Sequence, residues 1–584
     1  MMKSRRSRNV AYLTATVMIV LFGANRGFAW SDSTIAVNHI GGASATVEVN
    51  GVTVDASGNT YMTGALIGTA DFDPETGVTN LASAGGRDIY VAKYDVMGRL
   101  VWAKSVGTTG NQIGVSITTD ASGNVIVSGR FIGTVDFDPG AGTTSLTDPS
   151  DSGFILKLDG NGAFLWAANL TAGSNGSQAS GVGVDTSGNI FSTGYFQGTA
   201  DLDPGAGTSN TTSAGNYDIF VTKLSSTGAF QWGRTIGNAG GDYGNVLNMS
   251  SSGMPHIVGT FTGTLDFDPG AGTTSKTSNG GDDIYVLKLN SLGEFVWAAN
   301  VGGSGNDYAP AIAVNDNAVH LGGFFLGTAD FDPSAGGSST LTSAGAEDAF
   351  VLKLDSTGAY GWVKAFSGTS TELVRSLVLD SSGNVTATGN FGGSTDFDPS
   401  ASTSSLTSAG GNDAFIARLD SSGNYGWARH FGSTGEDRAH NAALDTAGNV
   451  HLVGVFANTV DFDPDTAVVN KSALGTLDAF LLRLSPTGFA TSATTTTTTS
   501  STVAPTSTTA APTGGSTTAT TTPVSSAPSA TTVVSTTSLS ATKESREPLP
   551  ATGSGINSGV LAAAVALMLG IGILVLRRAP KRHE

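Results

Sequence analysis

The chain has 584 residues, a formal net charge of −18 and no cysteine. Disulfides and thiolate metal sites are therefore excluded, and the acidic balance argues against a nucleic-acid partner, which calls for a basic footprint. The 80 glycines are scattered through turns rather than spaced in a collagen period.

At the N-terminus, Lys3, Arg5, Arg6 and Arg8 precede a short apolar run, 10–23, and then Gly27-Phe28-Ala29. Basic, apolar and small-residue segments in that order predict a secretory signal peptide over 1–29, and the run is too short for an easy membrane span. Residues 35–41 stand alone before the first full repeat and align with 101–107, with Ala36 where Trp102 stands.

From there the motif Asp-x-Asp-Pro recurs, beginning at Asp71, Asp136, Asp201, Asp266, Asp330, Asp396 and Asp461, in steps of 65, 65, 65, 64, 66 and 65 residues. A fixed period of this size marks a repeat architecture. One repeat shows the anatomy: expected strands at 114–119, 125–131, 153–158 and 163–170, with turns at 120–124 and 159–162 and a long connection around Asp136. Each strand is short, β-rich and bounded by Gly, Asn, Asp or Ser. Four such strands make one propeller blade.

The fourth strand carries Trp102, Trp166, Trp232, Trp297, Trp362 and Trp427, expected as packing between blades. The seventh repeat lacks its own Trp strand, so the lone strand at 35–41 is expected to complete it and close the ring. The predicted fold is an all-β, seven-bladed β-propeller over 33–488, closed by an N-terminal strand. An open solenoid is the alternative, but it needs capping repeats that the chain does not offer.

The repeats resemble the bacterial SBBP family, the seven-bladed β-propeller repeat. The residues that carry the resemblance are Asp-x-Ser-Gly-Asn (Asp55 to Asn59, Asp120 to Asn124, Asp380 to Asn384), Asp-[Ile/Ala]-[Phe/Tyr]-Val-x-Lys-Leu (as at Asp218 to Leu224) and Trp-Ala strands such as Trp297-Ala298. The resemblance implies a fold and an extracytoplasmic setting, and no activity. Ser250 and Asn315 depart from it at the first turn Asp, and Ser152 at the third-strand Asp.

Chain direction puts the two tight turns of each blade on one face. The Asp-x-Asp-Pro segments and the Gly-rich loops between blades fall on the other, the face to suspect for function. Each Asp pair (Asp71 and Asp73, Asp136 and Asp138, Asp201 and Asp203, Asp266 and Asp268, Asp330 and Asp332, Asp396 and Asp398, Asp461 and Asp463) has two readings. In an extended segment the two carboxylates point the same way, ~6.8 Å apart, as candidate Ca²⁺ ligands. Alternatively Asp caps a turn before Pro, which the lack of a third acid favours.

One basic residue per third strand (Lys93, Lys157, Lys223, Lys288, Lys353, Arg418, Arg483) is expected to pair with an Asp. The inter-blade loops differ, and Asp242, Tyr243, Asp307, Tyr308, Glu372, Arg375, Asp437 and Arg438 are the candidate ligand residues. His256, His320 and His451 share one repeat position with Tyr61, Ile126 and Phe191, so strand packing accounts for them. There is no Ser-His-Asp order, phosphate loop or HExxH, so the catalytic set is empty and no cofactor is required.

After the repeats, 489–547 is almost wholly Thr, Ser, Ala, Pro, Val and Gly. Such a tract cannot bury enough apolar surface to order itself, and about 55 residues in polyproline form would reach roughly 170 Å. Leu549-Pro550-Ala551-Thr552-Gly553 follows, then an apolar stretch, 559–576, and Arg577, Arg578, Lys581 and Arg582. The stretch is about long enough for a transmembrane helix, with the basic tail cytoplasmic. Within 548–584 these parts resemble the LPxTG sorting signal of Gram-positive surface proteins. The resemblance implies a sortase that cleaves after Thr552 and joins it to peptidoglycan. The expected function is a cell-wall-anchored binding or adhesion protein with an extracellular glycan or protein ligand. The alternative is a tethered enzyme acting on glycans through carboxylate pairs.

Overall fold

The computed structural model describes residues 36–74, 77–463 and 468–484. The chain divides into two units, Met1–Phe489 and Ala490–Glu584, and the described residues belong to the first. The expected signal peptide, stalk, sorting pentapeptide Leu549 to Gly553 and helix at 559–576 lie outside the described residues. Among the described residues no helix is long and apolar enough to cross a membrane.

Every named element is a strand, and one four-stranded antiparallel unit recurs. The first unit pairs Thr46–Val54, Thr60–Ile67, Asp88–Tyr94 and Leu100–Val106 in chain order. The second pairs Ile113–Thr119, Val125–Asp136, Ser145–Leu158 and Phe164–Asn169. The first and fourth are close to the expected spans, but the second and third extend into the expected connection, where Gly133–Asp136 pairs with Ser145–Asp148. The later units begin at Gly176, Tyr243, Tyr308, Glu372 and Arg438. The architecture is all-β, repetitive and β-propeller-like.

The turns explain why the strands break where they do. Asp120 Oδ1 accepts the N–H groups of Ser122 and Asn124, and its carbonyl accepts that of Gly123. Gly123 has φ +77°, where a side chain is disfavoured. The Asp, the Gly and the Asn of the motif thus each meet a need of one tight turn.

The N-terminal strand Ala36–Ile40 pairs antiparallel with the last described strand, Asp478–Leu484. Ala36 lies opposite Arg483, as Trp102 lies opposite Lys93 in the first unit. The strand therefore takes the fourth place in the seventh unit, in the register that the alignment expects. First strands of successive units lie against one another, and the seventh, Arg438–Leu444, lies against the first, Thr46–Val54. Each apolar cluster sits between two adjacent units. One of them joins Val47, Val49 and Leu66 to Val453, Val455 and Leu481 across the ends of the described chain.

The long connection of each repeat is not a free loop. It forms a small hairpin, such as Thr69–Asp71 with Asn80–Ala82 or Thr264–Asp266 with Ser275–Thr277. The residue between the two Asp anchors it. Phe137 is buried between Phe131 and Phe154, with ring centroids 5.3 and 5.1 Å away. Phe331, Phe397 and Phe462 repeat the arrangement. Each such ring hides about 150–250 Å², worth roughly 4–6 kcal/mol by area, so this aromatic position holds the hairpin to the sheet.

The tryptophans are half-buried rather than central. Trp102, Trp166, Trp232, Trp297 and Trp362 lie on the turn glycines of the next unit, at Gly162, Gly228, Gly293, Gly358 and Gly423, where a Cβ would come within about 3 Å of the ring. Each donates its indole N–H to a carbonyl of that turn, as Trp102 does to Gly160 O at 3.2 Å and Trp297 to Ser356 O at 3.1 Å. They fasten neighbouring units at the rim.

Candidate functional site

The Asp-x-Asp-Pro carboxylates serve their own hairpins. Asp71 Oδ1 accepts the N–H of Asp73 at 3.0 Å and of Thr79 at 2.8 Å. Asp136, Asp201, Asp266, Asp330, Asp396 and Asp461 each make the same pair of bonds. The second Asp accepts an N–H beyond the Pro, as Asp138 does from Gly140, and likewise Asp203, Asp268, Asp332 and Asp398. The segment is therefore an Asx turn, and the parallel, extended carboxylate pair is corrected: the N–H of Asp73 folds back onto Asp71. The other two members of the set, Asp73 and Asp463, donate their backbone N–H groups to Asp71 and Asp461. Among the described residues no group of three His, Asp or Glu that could hold a metal comes together.

The inter-unit loops also depart from expectation. Asp242, Asp307, Glu372 and Asp437 are buried, not displayed on loop tips. Asp307 Oδ2 accepts the N–H of Gly303 at 2.7 Å, and its Oδ1 that of Leu326 at 3.1 Å. Asp437 does the same with Ser433 and Ala457, and Asp242 accepts from Asn238. Glu372 accepts the hydroxyl of Thr395 at 2.9 Å. The Gly-rich loop folds back on the preceding unit, where Asp242 N–H reaches Tyr217 O and Asp307 N–H reaches Asp282 O. The acids follow it inside. Each joins a buried third-strand Asp of the unit before, namely Asp218, Asp283, Asp348 or Asp413, which accepts the N–H of the residue four earlier. Burial raises the carboxyls of Asp242, Asp283, Glu372 and Asp413 to about 7 and that of Asp307 to about 6.

The rest of the candidate set does converge. Every first strand carries a bulge. The register with the second strand skips Asn50, Val115, Ser180, Asn245, Arg375 and His440, and shifts between Tyr308 and Ala311. A bulge re-aims a side chain and commonly borders a site. These strands wall a central cavity of about 320 Å³, which Val52, Thr118, Val184, Met249, Ile312 and Arg375 help to line.

Of the candidate residues only Arg375 lines that cavity. At the loop-side mouth, formed by the starting ends of the first strands, the repeats stop resembling each other. Tyr195, Tyr217 and Tyr243 form a triad with ring centroids 5.2, 5.2 and 5.5 Å apart. Tyr308 lies against Phe324 at 5.9 Å. Burial raises the hydroxyls of Tyr195 and Tyr308 to about 12. On the far side Arg375 donates to Asn390 at 2.6 Å, and Arg438 pairs with Glu436 at 2.8 Å. Burial, and then Arg438 beside it, pull Arg375 down to about 9. Arg87 pairs with Glu48 at 2.9 Å and Arg130 with Asp151 at 3.3 Å. Buried polar atoms without a protein partner remain at Arg130 Nε, Gln178 Oε1, Asn245 Nδ2 and His440 Nε2. The mouth thus joins an aromatic group to arginines that are mostly paired with carboxylates, a surface suited to stacking and to polar recognition.

The sequence singled out Tyr243, Tyr308, Arg375 and Arg438 but missed Tyr195, Tyr217 and Arg130. The missing signal was positional. Tyr195 shares its repeat position with Ala65, Arg130, Thr260, Phe324, Asn390 and Val455, a set with no structural theme.

No family model matches the chain. It is 24% identical over 444 residues to an uncharacterised WD repeat-containing protein of Acanthamoeba polyphaga mimivirus, covering 65% of this chain and 32% of that protein. It is 23% identical over 476 residues to the regulatory protein FlaEY of Caulobacter vibrioides, covering 75% of this chain and 46% of that protein. The chain thus spans less than half the length of these curated relatives. Among solved structures, a chain of the mitotic checkpoint complex is similar at 11% identity, covering 76% of this chain and 95% of its own, with a TM-score of 0.36. Virginiamycin B lyase from Staphylococcus aureus is similar at 9% identity, covering 77% and 99%, with a TM-score of 0.35.

Proposed function

We propose that the chain is a cell-wall-anchored surface protein presenting a closed seven-bladed β-propeller as a binding or adhesion module. Its ligand, an extracellular glycan or protein, sits at the mouth between the tyrosine triad and Arg375 with Arg438. The observation that carries this reading is that side chains repeat from unit to unit where they hold the fold and diverge at the mouth. Anchoring rests on the sorting pentapeptide, with sortase and peptidoglycan as partners through Thr552. Thr552→Ala is expected to move the protein from the wall fraction to the membrane or medium, and unchanged wall retention would sink the anchor. Purified protein on an array of glycans, wall fragments and matrix proteins, with Ca²⁺ and then EDTA, tests the binding module. A specific hit supports it, and loss in EDTA would return the Asp-x-Asp-Pro loops to consideration as Ca²⁺ sites. A second reading, a tethered enzyme acting on glycans, draws on Asp282 beside Tyr243 and on Glu347. Burial raises both carboxyls, and neither has an acidic counterpart in most repeats. Glycan hydrolysis abolished by Asp282→Asn would establish it.

A further inference from the structure

A second site lies on the tight-turn side, and it is visible because the repeats make their own control. In four units the turn Asp meets the third-strand cation. Asp120 Oδ2 lies 2.9 Å from Lys157 Nζ, Asp185 3.7 Å from Lys223 and Asp445 3.0 Å from Arg483, and Asp380 pairs with Arg418. In the first unit Asp55 is taken by the Tyr61 hydroxyl, and Lys93 Nζ sits 5.0 Å above the Tyr61 ring.

The fourth unit has the cation without the acid. Ser250 stands at the Asp position, and its Oγ keeps the turn by accepting the N–H of Met254 at 3.1 Å. A hydroxymethyl group is shorter than a carboxymethyl group and carries no charge. Among the described residues Lys288 therefore makes no ion pair, and its contact with Ser356 O is 3.5 Å. Lys157 and Lys223 reach the matching carbonyls at 3.1 and 3.0 Å. The space left is a pocket of about 250 Å³ lined by Ser250, Ser251, Ser252, His256, Lys288 and Asp316, among others. In the fifth unit Asn315 stands in for Asp without its charge. It accepts the N–H groups of Asn317 and Ala318, and Lys353 reaches Ser421 O at 3.0 Å.

We propose that this pocket binds a small oxyanion, the carboxylate or phosphate group of a ligand, in the place where an aspartate pairs with the third-strand cation in four other units. Lys288 supplies the charge, and the hydroxyl of Ser252, which lies 2.9 Å from Ser250 Oγ, turns to donate to one of the remaining oxygens. Asp316 already accepts the hydroxyl of Ser251, so it closes the rim rather than neutralising Lys288. Water takes about 30 Å³ per molecule, so the pocket holds a phosphate with room for the group that bears it. The site is independent of the mouth and of any ligand there.

The test titrates inorganic phosphate, and separately acetate, into the full-length protein by calorimetry, with ionic strength held by chloride. Saturable binding of either anion is expected, and which of the two binds identifies the group. Ser250→Asp restores the repeat carboxylate. It is expected to weaken the anion at least about tenfold and to raise the melting temperature in anion-free buffer by about 1–3 °C. Lys288→Gln is expected to weaken the anion by a similar factor, and it decides the matter should Ser250→Asp fail to fold. No saturable binding by the wild type, or binding unchanged in the folded variants, would overturn the proposal.

Discussion

The tight-turn side and the mouth side of the same units follow opposite rules. On the tight-turn side, position after position repeats: turn Asp, turn Gly, Trp on the neighbour's Gly, cation on the neighbour's carbonyl. At the mouth, equivalent first-strand positions hold Glu48, Ile113, Gln178, Tyr243, Tyr308, Leu373 and Arg438. Repetition reports a contact that every unit needs, whereas divergence reports something that only one unit needs. The Ser250 pocket applies the same lesson to a single unit.

The comparison can be broken first at the closing strand. Deleting 35–41 removes the partner of Asp478–Leu484 and leaves a sheet edge. We expect the melting temperature to fall by more than about 10 °C; an unaltered calorimetric melt would mean that the last unit closes by other means. Next comes the rim. Trp297→Ala should cost roughly 2–4 kcal/mol in denaturant unfolding, less than a core Trp because the ring is half exposed, and it should leave the mouth unchanged.

The buried acids give a smaller effect with a definite sign. Asp242, Asp283, Asp307, Glu372 and Asp413 titrate higher in the folded chain than their ordinary 3.8 or 4.5. The folded state therefore binds protons that the unfolded state has released. Their stabilising contribution is whole below about pH 4 and is lost as pH rises through about 7. At Asp445 burial is outweighed by hydrogen bonds from Asn449, Arg483 and His451, which hold it down to about 2. It acts in the opposite direction, but only below the ordinary carboxylate range. The melting temperature should thus fall between about pH 4 and pH 7, and Asp283→Asn should flatten that slope. The smallest stability effect is expected for Tyr217→Ala, below about 1 kcal/mol, because the ring is half exposed and its neighbours can relax.

Much of the fold was legible because each signal is repeated in the chain. The Asp-x-x-Gly turns set the strand breaks, and the lone strand at 35–41 could be placed by its alignment with the Trp strand. The hairpin within the long connection was not legible. In units such as the third and fourth its strands are three residues long, and its anchor, Leu202 or Phe267, reads as one more apolar residue between two acids. The buried acids were misread for a related reason. Asp242 and Asp307 sit in Gly-rich stretches that read as exposed loops, and only the return hydrogen bonds to Tyr217 O and Asp282 O carry them inside. The triad of Tyr195, Tyr217 and Tyr243 has no spacing that a motif could capture, because two units contribute to it through three different strands and loops.

The central claim is that divergent mouth residues bind and repeated rim residues hold the fold. Its most direct test compares wild type, Tyr217→Ala and Trp297→Ala on one array of glycans, wall fragments and matrix proteins, at a temperature where all three are folded. The account predicts a specific ligand that is retained by Trp297→Ala and lost by Tyr217→Ala. A ligand that survives Tyr217→Ala and is lost with Trp297→Ala would contradict it.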